Sequence, residues 1–357
     1  MGERIYLNNE WRFSTSYQED MIANDYSDEK MDIVRLPHTC RETPFNYFDE
    51  DIYQMVCLYR RKLYAPNEWK GKKLLLTLEG VAHISEVFIN GEKVGEHGCG
   101  YTAYTMDLSD KLKFDEDNII AVKVDSRESS NIPPFGYVID YMTYGGIYRD
   151  VYLEVKEDIY IKDVFLHSLI SSPSAVLNAD VEINDISEDL YICQYIRPNS
   201  ESEYVLLGEK AFENDYTDMS VQWKIDSVIL WDINNPFLYE IKTQLRRGEQ
   251  IVDEVSNIFG FREAIFKEDG FYLNGKKVKI RGLNRHQSYP YVGYAMPKSM
   301  QEHDAEILKN ELGLNAVRTS HYPQSHYFLN QCDLCRLTAR QRSSAGRERY
   351  RWAVRRS

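Results

Sequence analysis

The sequence predicts a mainly β chain: two antiparallel β-sandwiches followed by the start of a parallel α/β layer. Three observations predict it. Strand-sized alternating runs separated by turn residues fill Val56 to Val155, a second set fills Ile159 to Phe261, and after Phe271 a helical period replaces the alternation.

In the first block, CLYRRKLY, KLLLTLEG, SEVFINGEKVGEH, DNIIAVKVD and GGIYRDVYLEV each read as a strand, and Asn90-Gly91 supplies the positive-φ pair of a tight hairpin. Such a sandwich is expected to have one dry and one wet face. The interval from Asp125 to Asp150 is too long and too aromatic for a plain connection, so it either binds a ligand or packs over a neighbouring domain. The second block gives about seven short strands in about a hundred residues, which suits an immunoglobulin-like sandwich. It contains only Cys193, so its stability rests on an apolar core without an internal disulfide. Trp11, Trp69, Trp223 and Trp231 sit in strand or turn contexts and are expected to pack in cores.

FYLNGKKVKI then forms a hairpin around Asn274-Gly275, and KVKIRGLN reads as a strand. Ser299 and Glu302 form a capping box. Met300, Ala305, Ile307, Leu308 and Leu312 make one apolar helix face, and Gly313 ends the helix. NAVRTSHYP is the next strand, and SHYFLNQCD opens another helix. In parallel α/β layers the C-terminal strand ends form the active face. Arg281, Asn284, Arg285, His286, Arg318, Ser320 and His321 are assigned there. The plainer alternative is that the arginines sit in ion pairs and the histidines merely end strands. Tyr289, Tyr291 and Tyr294 lie in a loop on the same face, where ligand contact and packing are both open.

The formal charge is −13, but Leu334 to Ser357 carry eight Arg and one Glu, leaving −20 on the first 333 residues. Such a body repels nucleic acid and anionic membranes and favours a neutral ligand. Six scattered cysteines fit a reducing compartment. With no leader-like start and no run of about 20 apolar residues, the expected location is cytoplasmic. His321 and His326, five apart, lack metal-site spacing.

FGFREAIF, FYLNGKKVKIRGLNRHQ, ELGLNAVRTSHYP, LWDINNPFLYE and GGIYRDVYL together resemble glycoside hydrolase family 2, in its bacterial β-galactosidase form, over about residues 1–333. The resemblance implies a jelly-roll sugar-binding domain (1–157), an immunoglobulin-like domain (158–264) and the truncated start of a (β/α)8 TIM barrel (265–333). It implies retaining hydrolysis of terminal β-D-galactosides such as lactose, by two carboxylates placed after barrel strands four and seven. β-Glucuronidase and β-mannosidase relatives share the architecture. By resemblance, His321 lines the sugar pocket as a transition-state stabiliser and Asp140 reaches into it to accept sugar hydroxyls. Arg281, Asn284 and His286 organise its floor and entrance, and Arg318 supports a catalytic carboxylate. Gln287 stands where several relatives carry Glu. Full-length relatives are usually homo-oligomeric and often use Mg²⁺, with ligands outside this chain.

From Leu334 the text shows no strand alternation and no helix face, and Arg fills one-third of its positions. The expectation is an aberrant tail (334–357) produced by a shifted reading frame, with neither catalytic carboxylate in the chain. A basic arm for nucleic acid or an acidic partner is the alternative reading of the tail. A non-catalytic carbohydrate-binding or structural fragment is the alternative for the whole.

Overall fold

In a computed structural model, the described residues are 3–341, apart from 45, 47, 48, 134, 137, 138, 199–201, 214 and 215. They form two compact units, residues 3–156 with 286–301, and residues 157–285 with 302–341.

The first unit is a sandwich. A four-stranded sheet runs in the order Glu3–Tyr6, Val151–Lys156, Lys73–Leu78, Tyr104–Asp107. A six-stranded sheet runs Asp32–Val34, Trp11–Ser14, Val56–Ala65, Glu116–Asp125, Ile84–Ile89, Glu92–His97. Cys57 and Tyr59 point into the main core with Leu74, Leu76, Val122 and Leu153. The intervening residues Leu58 and Arg60 point the other way, as the two-residue period of a strand requires. That outer face is not wet as expected. Leu58 packs with Met21, Met31, Phe88 and Ala121, so a segment preceding the central strands covers them. Arg60, 1% exposed, satisfies that segment's backbone by donating to the carbonyls of Met21 and Ala23. The Asn90-Gly91 turn forms with φ of 53° and 85°.

In the second unit, Ile161–Ser171, Ser174–Ile183 and Asp218–Ile225 face a sheet of Val205–Ala211, Leu190–Arg197, Tyr239–Arg247 and Gln250–Phe259. These are the seven strands the sequence suggests, closed over two apolar clusters around Ile192 and Leu245, and around Leu177 and Phe261. Cys193 is a free thiol. Next, Ala264–Lys267, Gly270–Leu273 and Lys276–Val278 form an antiparallel sheet, with Asn274 and Gly275 at φ 52° and 76°. Phe271 and Leu273 pack on Trp231, which is fully buried and donates its indole N–H to the Asp333 carbonyl at 2.8 Å. Trp11 and Trp69 are buried as well, and Trp223 is partly buried with its indole N–H on Gln194, so all four tryptophans pack as expected.

A parallel sheet follows: Gly282–Arg285, Ala316–Thr319 and Thr338–Gln341 in that order. Three expectations change here. The helix begins at Lys298, so Ser299 lies inside its first turn. Pro297, whose carbonyl accepts from the amides of Met300 and Gln301, stands before it with its φ already fixed. Leu312 is 51% exposed, because the last turn widens to a π-helix over Ile307–Glu311 and rotates it off the apolar face; Gly313 follows at φ 63°. Regular structure also continues past Asp333. The second helix spans His326–Leu334, and Leu337 and Ala339, both buried, alternate around Thr338 to make a third strand. That two-residue alternation is hidden in the Arg-rich composition. The rest of the tail, residues 342–357, lies outside the described residues.

Candidate functional site

Within the second unit, the parallel register pairs Asn284 with Arg318 and Arg285 with Thr319. Paired residues share a face, so Asn284 and Arg318 lie together and Arg318 Nη1 donates to Asn284 Oδ1 at 3.4 Å. Both are exposed. Arg285 occupies the opposite face and is buried at 6% exposure. Its Nε and Nη2 reach Asp304 Oδ2 at 2.9 and 2.7 Å, Nη1 donates to Gln324 Oε1, and the guanidinium lies 3.9 Å from the Phe328 ring centroid. Burial lowers the basicity of Arg285, and the Asp304 carboxylate opposes that shift. Arg285 thereby ties its strand end to both helices and to the loop after the next strand.

His321 belongs to that loop. Its peptide bond to Ser320 is cis, the Ser320 amide donates to the Arg285 carbonyl at 3.0 Å, and His321 itself is exposed. Ser325 ends the loop by capping the following helix through its hydroxyl on the Tyr327 amide. Arg281 departs from the expectation. The strand starts only at Gly282, so Arg281 sits at its N-terminal end, where its amide and carbonyl bind Asn315. It is not on the C-terminal face.

Within the first unit, Asp140 is exposed on the long loop between Asp125 and Gly146. The loop is pinned at both ends. Ser126 Oγ donates to the Tyr53 carbonyl at 2.6 Å, and the Gly145 carbonyl accepts from the Cys40 amide at 3.0 Å. Gly146, at φ 114°, is required there, because a Cβ would meet the His38 carbonyl oxygen at 2.6 Å. Next to Asp140, the Tyr141 ring packs on His286 with centroids 5.1 Å apart. Burial raises the Tyr141 phenol pKa, with a hydrogen bond to Tyr101 opposing, so it stays protonated at neutral pH. The structure thus brings Asp140, Tyr141 and His286 together in one unit. In the other it brings together Asn284 and Arg318, and the backbones of Arg285 and Ser320.

The loop tyrosines divide. Tyr289 and Tyr291 are 46% and 54% exposed, whereas Tyr294 is 1% exposed and packs among Tyr101, Tyr144 and Tyr148. Gln287 is fully buried and accepts from Arg149 Nη2 at 3.1 Å, so it is an internal anchor of the first unit. Sequence reasoning gave no role to Tyr101, Tyr144 or Tyr148; the clustering of Tyr, Gly and Asp around GGIYRD was the available signal. Among the described residues, no group of three or more His, Cys, Asp or Glu is arranged to hold a metal ion, and no helix is long and apolar enough to cross a membrane.

Comparison with known proteins matches three consecutive family models. They are the sugar binding domain of glycosyl hydrolases family 2 over residues 6–157, the central family 2 domain over 159–262, and the family 2 TIM barrel domain over 265–338. The β-galactosidase of Thermoanaerobacterium thermosulfurigenes is 42% identical over 346 residues, covering 93% of this chain and 47% of that protein. The β-galactosidase of Thermoanaerobacter pseudethanolicus is 39% identical, with 93% and 45% covered. A β-glucuronidase of Bacteroides fragilis is 31% identical, with 92% and 48% covered. Among solved structures, Bacteroides uniformis β-glucuronidase superposes with a TM-score of 0.84 at 29% identity, covering 95% of this chain and 42% of that one. The chain therefore spans about half the length of the curated relatives it matches. Its two sandwiches, its parallel strands and its three family matches make it a member of glycosyl hydrolases family 2.

Proposed function

We propose that this chain belongs to a β-galactosidase-type enzyme that hydrolyses terminal β-D-galactosides with retention, and that the half of it in hand supplies sugar binding and scaffold. The observation that carries the reading is 42% identity to a β-galactosidase over 93% of the chain. The chemistry around Asp140 agrees with it. An exposed carboxylate can accept two sugar hydroxyls, and the adjoining Tyr141 and His286 rings offer an apolar face together with hydrogen-bonding edges. A body carrying −20 over its first 333 residues suits a neutral sugar.

Retention requires a nucleophile and an acid/base carboxylate about 5–5.5 Å apart. The resemblance places these after the fourth and seventh barrel strands, and the described residues contain three parallel strands. We therefore expect the 357-residue chain to bind galactosides without hydrolysing them. In that reading His321 awaits the developing charge of the transition state, and Asn284 with Arg318 prepares the floor on which a carboxylate would be held. By the resemblance, any Mg²⁺ of the whole enzyme would be held by residues outside this chain. Incubation with a chromogenic β-galactoside tests the catalytic part of the reading: turnover above a tag-only control contradicts it.

A second reading, β-glucuronidase, is favoured by the B. fragilis relative at 31% identity. The two readings separate by affinity. Methyl β-D-galactoside should bind the chain more tightly than methyl β-D-glucuronide in direct titration. The reverse order would select the second reading.

A further inference from the structure

We propose that Tyr294 is a positioning residue for the sugar site: seated among Tyr101, Tyr144 and Tyr148, it clasps the segment from His286 to Met296 onto the loop that carries Asp140. The inference rests on the reading of Asp140 and His286 as sugar ligands and adds what holds them in place. The Tyr294 ring centroid lies 4.8 Å from that of Tyr144, 5.4 Å from Tyr148 and 6.2 Å from Tyr101, all in tilted geometries. Its hydroxyl donates to the Met142 carbonyl at 3.3 Å and lies 3.5 Å from the Tyr101 hydroxyl. Met142 is two residues beyond Asp140, and Tyr141, between them, packs on His286. The two segments therefore touch at the two residues that follow the carboxylate.

The clasp has its own internal frame. Tyr289 and Gly293 exchange backbone hydrogen bonds at 3.1 and 2.9 Å, closing a tight loop, and the Tyr291 carbonyl accepts from the Thr43 amide at 3.2 Å. Gly293 sits at φ 53°, and a Cβ there would fall 2.1 Å from Tyr144 Cδ1, so the Tyr144 ring lies flat against a position that only glycine can fill. A two-χ aromatic wedged among three others has few alternative rotamers, and that rigidity passes through Met142 to the Asp140 backbone.

The test uses the full 357-residue chain and its variants Tyr294→Ala, Gly293→Ala and Tyr294→Phe. Amide hydrogen exchange is read at 139–144 and in the central strand Glu116–Asp125, alongside titration with methyl β-D-galactoside. Tyr294→Ala and Gly293→Ala should speed exchange at 139–144 and weaken galactoside binding, each about tenfold, with the central strand still protected. Tyr294→Phe keeps the ring packing but loses the hydrogen bond to Met142, and should fall between wild type and Tyr294→Ala on both readouts. The proposal is overturned if exchange at 139–144 is unchanged in Tyr294→Ala, or if it rises equally in the central strand, which would make Tyr294 an ordinary core residue. Should Gly293→Ala lose the central strand altogether, Tyr294→Ala against Tyr294→Phe decides. If the wild-type chain binds no galactoside, the functional reading falls, and the exchange pattern alone decides the positioning role.

Discussion

The second sandwich is the more regular of the two, with strands of seven to eleven residues against three to ten in the first, and only the first carries candidate sugar ligands. The second closes its seven strands over two apolar clusters, keeps its buried Gln194, Thr243 and Asp253 on the strands themselves, and joins the strands by loops with no assigned site residue. The first uses buried Arg60 and Ser126 to hold segments that are not strands. Between the two sandwiches, the candidate site residues therefore follow the irregular segments and the polar groups that anchor them, not the sheets.

Three perturbations sharpen that contrast. The largest is Arg60→Ala. It strips partners from the Met21 and Ala23 carbonyls in a buried setting and should cost about 4 kcal/mol in chemical denaturation. The partly buried Arg197–Glu240 pair of the second sandwich, about one-fifth exposed, should lose less, about 2 kcal/mol, on Arg197→Ala. Equal losses would erase the distinction.

Acidification comes next. Burial lowers the pKa of both His38 and His83 to about 4, from 6.5. Both lie in the first sandwich. The unfolded chain takes up protons there before the folded one does, so the contribution is intact above about pH 6.5 and is lost as pH falls toward about 4. The loss is about 3 kcal/mol per histidine. Denaturation series from pH 7 to 4 should show it, and His83→Leu should flatten part of the slope; an unchanged slope would argue against His83. The smallest effect is Gly248→Ala in the second sandwich. With φ at 56° and nothing within 4 Å of the added Cβ, it should cost only the left-handed backbone penalty, about 1 kcal/mol, in thermal unfolding.

Much of the scaffold was legible because its signals are local. Asn90-Gly91 and Asn274-Gly275 announce their hairpins through backbone chemistry carried by the pair itself. The long loop bearing Asp140 stood out by its length and its aromatic residues. What escaped was set by tertiary contact. Leu58 alternates like a core residue, but nothing local says that Met21 and Met31 cover it. The face taken by Arg281 depends on where its strand begins, and the third strand at Thr338–Gln341 depends on a neighbour at Ala316–Thr319 to pair with. The tyrosine nest joins positions 101, 144, 148 and 294, a spacing with no periodic signature.

The central claim, that the first sandwich presents a galactoside-binding carboxylate at Asp140, is tested most directly by titrating methyl β-D-galactoside into the wild-type chain and into Asp140→Asn. The expected result is saturable binding by the wild type, weakened about tenfold or more in the variant while its thermal midpoint is unchanged. Equal affinity in the two proteins would contradict the account.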